Sequence, residues 1–210
     1  MNINEFTKQP VIGIIRGIDK TALEPLVQTA VSAGLKTIEI TMNTQNAPEL
    51  ISMAVKFARN RLTVGAGTVT SMDSLAGALN GGASFIVMPA MQREVVAYCV
   101  NNNIPVFPGA FTPLEIHNAW TAGATMVKVF PSQFFGPAYF KALKGPFDKI
   151  KLMACGGVNQ STIKDYFSNG ADAVAFGASI FKKELIAKKD FISIENNIKS
   201  FLSALDCCTG

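Results

Sequence analysis

The chain has 210 residues, 49% of them hydrophobic and 16% charged, with a formal net charge of +4. That length and apolar content suit one folded domain over 1–210 and exclude a disordered chain. No apolar run reaches the roughly 18 residues of a membrane span. Met1–Phe6 lacks the basic and apolar regions of a signal peptide, and the lysines are scattered without interleaved aromatics, so a cytoplasmic protein with neither membrane nor nucleic-acid partner is expected.

In chain order, residues 2–8 read as a short helix that caps one end of the domain. Apolar runs then recur at Val11–Ile15, Thr37–Met42, Leu62–Ala66, Phe85–Met88, Pro105–Phe107, Met126–Phe130, Ile150–Ala154 and Ala173–Phe176. Helical patterns alternate with them at Lys20–Ala33, Ala47–Arg59, Ser71–Gly81, Gln92–Asn101, Pro113–Thr121, Pro137–Leu143, Gln160–Ser168 and Ile192–Leu205. Ser71 and Thr112-Pro113 are helix-start signals, and Gly34, Gly82, Gly123 and Gly170 are helix stops. Eight strands alternating with eight helices every 20–25 residues or so predict an α/β fold, a compact (β/α)8 TIM barrel; a doubly wound open sheet usually has fewer units.

Lys128 lies in the apolar run Met126-Val127-Lys128-Val129-Phe130-Pro131. A lysine is rarely buried without a reason, and desolvating an amine favours its neutral, nucleophilic form. Snorkelling from a strand end is the competing reading. Side-chain alternation puts Met126, Lys128 and Phe130 on one face and Val127 and Val129 on the other. If the valines face the helices, Lys128 points into the barrel. In the second run, Thr37, Glu39 and Thr41 share one face and Ile38 and Ile40 the other, so Glu39 should enter the same interior. A buried Glu with a buried Lys is either a structural ion pair or an acid–base group beside an amine nucleophile.

Barrel active sites lie at the C-terminal ends of the strands. Arg16 ends the first run and offers a fork of donors for a carboxylate or phosphate. Gly65-Ala66-Gly67-Thr68 ends the third with glycines that let backbone approach a ligand and a hydroxyl for a carboxylate. Gly156-Gly157 and Gly177-Ala178-Ser179-Ile180 end the seventh and eighth runs, where barrels commonly hold phosphate on free backbone N–H groups; the second of these reads as the opening of a short helix. Cys99, Cys155, Cys207 and Cys208 show no metal-type spacing, and the adjacent tail pair reads as reduced thiols. His117, the one histidine, reads as a surface helix residue, and one histidine excludes a multi-histidine zinc site.

Glu39-Ile40-Thr41-Met42-Asn43-Thr44, Gly65-Ala66-Gly67-Thr68, Val127-Lys128-Val129-Phe130-Pro131, Gly156-Gly157-Val158 and Gly177-Ala178-Ser179 follow one another in order. Together, from about Pro10 to Phe181, they resemble the 2-keto-3-deoxy-6-phosphogluconate (KDPG) and 4-hydroxy-2-oxoglutarate (KHG) aldolase family, with features of its 6-phosphogalactonate branch. The resemblance implies a class I aldolase that needs no cofactor or metal, is usually a homotrimer, and cleaves a phosphorylated 2-keto-3-deoxy sugar acid to pyruvate and glyceraldehyde 3-phosphate. It implies Lys128 as Schiff-base lysine and Glu39 as acid–base residue. Arg16, Asn43, Thr68, Pro89 and Phe130 would contact substrate, and Gly156, Gly157, Gly177 and Ser179 the distal phosphate. Many gluconate-type members carry arginine where this chain has Asn43, and galactonate-type members resemble this chain there. KDPG is the expected substrate; the galactonate epimer, KHG, a phosphate-binding isomerase or epimerase, and a non-catalytic sugar-phosphate sensor are the alternatives.

Overall fold

Apolar strand runs divided by glycine-terminated helices fold as a ring of parallel strands, each followed by a helix on its outer side. The computed structural model describes residues 1–209, with side chains through Asp206; the Cys207 and Cys208 thiols lie outside the described residues. The elements run α1 (Ile3–Phe6), β1 (Val11–Ile15), α2 (Lys20–Ser32), β2 (Thr37–Thr41), α3 (Ala47–Ala58), β3 (Thr63–Gly67), α4 (Met72–Asn80), β4 (Ile86–Val87), α5 (Arg93–Asn101), β5 (Val106–Phe107) and β6 (Gly109–Ala110). They continue with α6 (Pro113–Thr121), β7 (Val127–Val129), a 3₁₀ turn at Ser132–Phe134, α7 (Pro137–Lys144), β8 (Leu152–Cys155), α8 (Ile163–Ser168), β9 (Ala173–Phe176), α9 (Lys183–Ala187) and α10 (Phe191–Thr209).

The strand order is β5-β4-β3-β2-β1-β9-β8-β7-β6, every pair parallel. β5 and β6 flank Pro108, which has no N–H to give a neighbour. Its carbonyl accepts from Lys128 N at 2.9 Å, so the two pieces share one strand position and the nine short strands form an eight-position TIM barrel. The fifth strand therefore runs past Phe107, where sequence reading ended it. The proline splits the ladder but does not turn the chain away.

Local signals hold the helices in place. The Asp19 side chain accepts from Thr21 N and Ala22 N at the start of α2, and Ser71 and Thr112 each form a capping box. Gly34, Gly82, Gly123 and Gly170 all sit at positive φ just beyond helix ends, a conformation that glycine adopts at little cost. At Gly177-Ala178-Ser179-Ile180 the expected helix opening is instead a turn closed by Ile180 N and Phe181 N on the Gly177 carbonyl; the short helix α9 begins only at Lys183.

Two apolar layers follow from strand parity. Ile38, Ile40, Val127 and Val129 pack outward in a layer shared with the helices. Ile12, Phe85, Val87, Phe107, Met126, Met153 and Cys155 fill the barrel interior. Phe6 of α1 joins this inner layer, its ring edge-on to Phe107 at 5.9 Å, which in turn meets Phe85 at 5.9 Å. Those aromatics fill the lower part of the barrel and leave polar side chains for the other end. Asp172, just before β9, accepts from Lys144 Nζ at 2.7 Å, Lys151 Nζ at 2.9 Å and Leu152 N at 2.9 Å, tying β8 to β9 and to α7.

Candidate active site

The same alternation that sends Val127 and Val129 into the outer layer turns Lys128 inward from β7. Lys128 is 5% exposed and Glu39 of β2 is 1% exposed. The Lys128 ammonium lies over the Phe130 ring, 5.0 Å from its centroid. Glu39 Oε2 is buried with no hydrogen-bond partner. Burial pushes the Glu39 carboxyl above the usual carboxylate range, and the charges of Lys128 and Arg16 offset part of that rise. An unpartnered carboxylate oxygen in a barrel interior costs free energy unless a ligand or proton meets it, which marks a working group.

The room for Glu39 comes from β3. A β-carbon on Gly67 would overlap the Glu39 carboxylate, and one on Gly65 would overlap the Phe85 ring. The missing side chains of these glycines make space for Glu39 and for the inner aromatic layer. Thr68, the next residue, holds φ at +54°, and its hydroxyl accepts from Arg16 Nη2 at 3.4 Å. A non-glycine residue in that conformation is strained, and such strain collects at functional sites. β1 and β3 therefore deliver Arg16 and Thr68 together at the C-terminal rim.

Beside the C-terminal ends of β1, β8 and β9 opens a cavity of about 370 Å³. Ile14, Arg16, Phe130, Cys155, Gly156, Gly157, Gly177, Ser179, Phe181 and Lys183 are in its wall. Gly156 and Gly157 sit at φ +102° and +74°, and β-carbons there would meet Gln133. Ser132 Oγ donates to the Gly156 carbonyl at 2.7 Å, so the turn after β7 braces the loop after β8. Ser179 Oγ donates to the Val158 carbonyl at 2.9 Å, joining the loops after β8 and β9. Its proton is thereby committed. Among the described residues the backbone N–H groups of Gly157, Ala178 and Ser179 are among those in the wall with no intramolecular acceptor, and they are donors available to an anion.

The structure thus gathers Lys128, Glu39, Arg16, Thr68, Phe130, Gly156, Gly157, Gly177 and Ser179 at one barrel end. Asn43 is exposed in the turn after β2, and Pro89 lies after β4 with its carbonyl against Gly109; neither is in the cavity wall, and nor are Lys128, Glu39 and Thr68. His117 is exposed, its ring stacked on Phe147 at 5.8 Å and remote from these strand ends. Three participants escaped sequence reading. Cys155 is 3% exposed; burial pushes its thiol up, and the nearby charge of Lys128 offsets part of that rise. Its parity with Met153 on β8 was the available signal. Ser132 and Lys183 lie outside the strands, where parity says nothing.

Known proteins of one family resemble the chain over most of its length. A model of the KDPG and KHG aldolase family matches residues 3–197. The 2-dehydro-3-deoxy-6-phosphogalactonate aldolase of Escherichia coli K12 is 33% identical over 178 residues, 84% of this chain and 86% of that protein. The 2-dehydro-3-deoxy-phosphogluconate aldolase of Haemophilus influenzae is 30% identical over 205 residues, 97% of this chain and 94% of that protein. Among solved structures, native KDPGal aligns with a TM-score of 0.89 at 29% identity, covering 96% of each chain. With a family model spanning nearly its whole length, the chain belongs to the KDPG and KHG aldolase family.

Proposed function

We propose that this class I aldolase cleaves 2-keto-3-deoxy-6-phosphogluconate to pyruvate and glyceraldehyde 3-phosphate, with Lys128 as the Schiff-base nucleophile and Glu39 as the acid–base group. The observation that carries the reading is a buried amine and a buried, unpartnered carboxyl in one barrel interior, whose residue Cys155 is in the wall of a cavity that has free N–H donors. A solvated surface pair needs no such burial, and a non-catalytic sensor has no use for a buried amine nucleophile.

The neutral Lys128 amine attacks the C2 ketone, and loss of water leaves a protonated imine that acts as an electron sink. Glu39 takes the C4 hydroxyl proton. The electron pair of the C3–C4 bond moves into the imine as the aldehyde departs, leaving an enamine. Glu39 returns the proton to C3, and water hydrolyses the imine to free pyruvate and the amine. An acid that must also serve as base works best with its pKa drawn toward the operating pH, the direction in which burial moves Glu39. Arg16 and Thr68 hold the substrate carboxylate, Phe130 packs beside the imine, Asn43 and Pro89 line the outer rim, and the loops bearing Gly156, Gly157, Gly177 and Ser179 hold the phosphate. Of Ser179, the backbone N–H makes that contact.

The chain works as one barrel domain in the cytoplasm, and as a homotrimer. Leu114, Phe134 and Phe135 are 68%, 73% and 58% exposed, and Phe135 stacks on Phe111 at 4.9 Å, an apolar surface that favours a partner copy. Sedimentation velocity reads the trimer directly; a monomer at micromolar concentration contradicts it. For the chemistry, borohydride reduction in the presence of pyruvate should add mass at Lys128 alone. A folded protein left unlabelled there removes the Schiff-base assignment. Faster cleavage of the galactonate epimer in a coupled lactate dehydrogenase assay removes the gluconate assignment.

A further inference from the structure

The cavity wall carries two cations, Arg16 and Lys183, and no carboxylate. Arg16 is tied to Thr68 beside the catalytic pair. Lys183, the first residue of α9, is in the wall together with Phe181 and Ile186. It is exposed, and among the described residues it has no ion pair or side-chain hydrogen bond. Its neighbour Lys182 does not reach the cavity wall. Gly157, Ala178 and Ser179 are in the same wall, and their N–H groups are uncharged donors with no intramolecular acceptor.

The geometry points to Lys183 as a specificity-determining residue that selects substrates with a distal phosphate. This rests on the aldolase reading above and adds a residue to it. Backbone donors favour a phosphate dianion over a neutral hydroxymethyl end only through partial charges. A mobile ammonium at the rim separates them, because a charge-assisted contact is roughly twice as strong as a neutral one. The flexible stem lets the head close on the phosphate after the ligand has entered.

The test compares Lys183→Gln, Lys183→Arg and Lys182→Gln with the parent protein. Cleavage is measured on 2-keto-3-deoxy-6-phosphogluconate and on unphosphorylated 2-keto-3-deoxygluconate. Lys183→Gln should lower the ratio of the two kcat/KM values about tenfold, mainly through KM of the phosphorylated substrate. Lys183→Arg should restore most of the ratio. Lys182→Gln, which removes the same charge one residue away, should change it less than about twofold. Inorganic phosphate titrated into the same variants gives a readout without turnover, and Lys183→Gln should weaken it about tenfold. A parent protein that forms no pyruvate sinks the aldolase reading, and the phosphate titration then still judges Lys183. An unchanged ratio or unchanged phosphate affinity in Lys183→Gln, or equal losses in the two glutamine variants, overturns the inference.

Discussion

The carboxylate of Glu39 occupies the space where a β-carbon on residue 67 would sit. β2 and β3 pair so closely here, with Thr41 opposite Gly67, that an acidic side chain can enter the barrel only because its neighbour lacks one. Gly67→Ala should therefore push Glu39 off its position, with an overpacking cost of about 1–3 kcal/mol. Urea denaturation and pyruvate formation should both register the change. The same substitution at Gly177, where a β-carbon would meet Ile14 at an ordinary 3.5 Å, should cost less stability. Equal costs at the two glycines would show that the space beside Glu39 is not the constraint.

Glu39→Gln tests the acid–base role and the burial of charge together. Turnover should fall by about 10²–10⁴, while borohydride trapping at Lys128 persists. Stability should move the other way. The folded pKa lies above the ordinary value of 4.5, so the folded state holds the proton more tightly than the unfolded chain. The stability this contributes is fully present below 4.5 and is lost as pH rises through the folded value. The glutamine variant removes that slope. Its stability relative to the parent protein should climb as pH rises above 4.5 in denaturant titrations; a flat difference would show that Glu39 titrates normally.

Asp172 carries the opposite sign. Burial opposes its ionisation, but hydrogen bonds from Lys144, Lys151 and Leu152 N outweigh it and hold the carboxyl below its ordinary 3.8. Its stabilisation is present above that value and is lost as pH falls through the folded one. Asp172→Asn should cost about 1–3 kcal/mol near neutrality by leaving Lys144 poorly satisfied, and less in strong acid. Denaturant midpoints at pH 7 and pH 3 measure it, and a constant cost across that range contradicts the ion-pair account.

Ser132→Ala probes the brace between the loops. Losing the donor to the Gly156 carbonyl should destabilise the protein by about 1–3 kcal/mol and raise KM for the phosphorylated substrate more than it lowers kcat. A change in kcat alone would place Ser132 with the Lys128 chemistry instead.

The inward turn of Lys128 and Glu39 was readable because a strand has a period of two and each run alternates cleanly between apolar residues and one polar set. The helix stops at Gly34, Gly82, Gly123 and Gly170 were readable because each needs a positive φ that few other residues accept. Strand extents were less so: β4 covers only Ile86–Val87 of a longer apolar run, since ladder formation depends on the neighbour and not on the run itself.

By itself the sequence determined the barrel class, the inward faces of β2 and β7, and the two glycine-bearing loops at one end, because these rest on local periodicity and on backbone conformations that particular residues require. Only the tertiary structure decided which groups meet. That Gly67 makes room for Glu39, that Cys155 shares the barrel interior with Phe107 and Met126, that Ser132 holds the Gly156 loop, and that Lys183 returns from beyond the last strand to the cavity wall are relations between segments distant along the chain. Closing the barrel brings these segments together, and no local pattern encodes the distance between them.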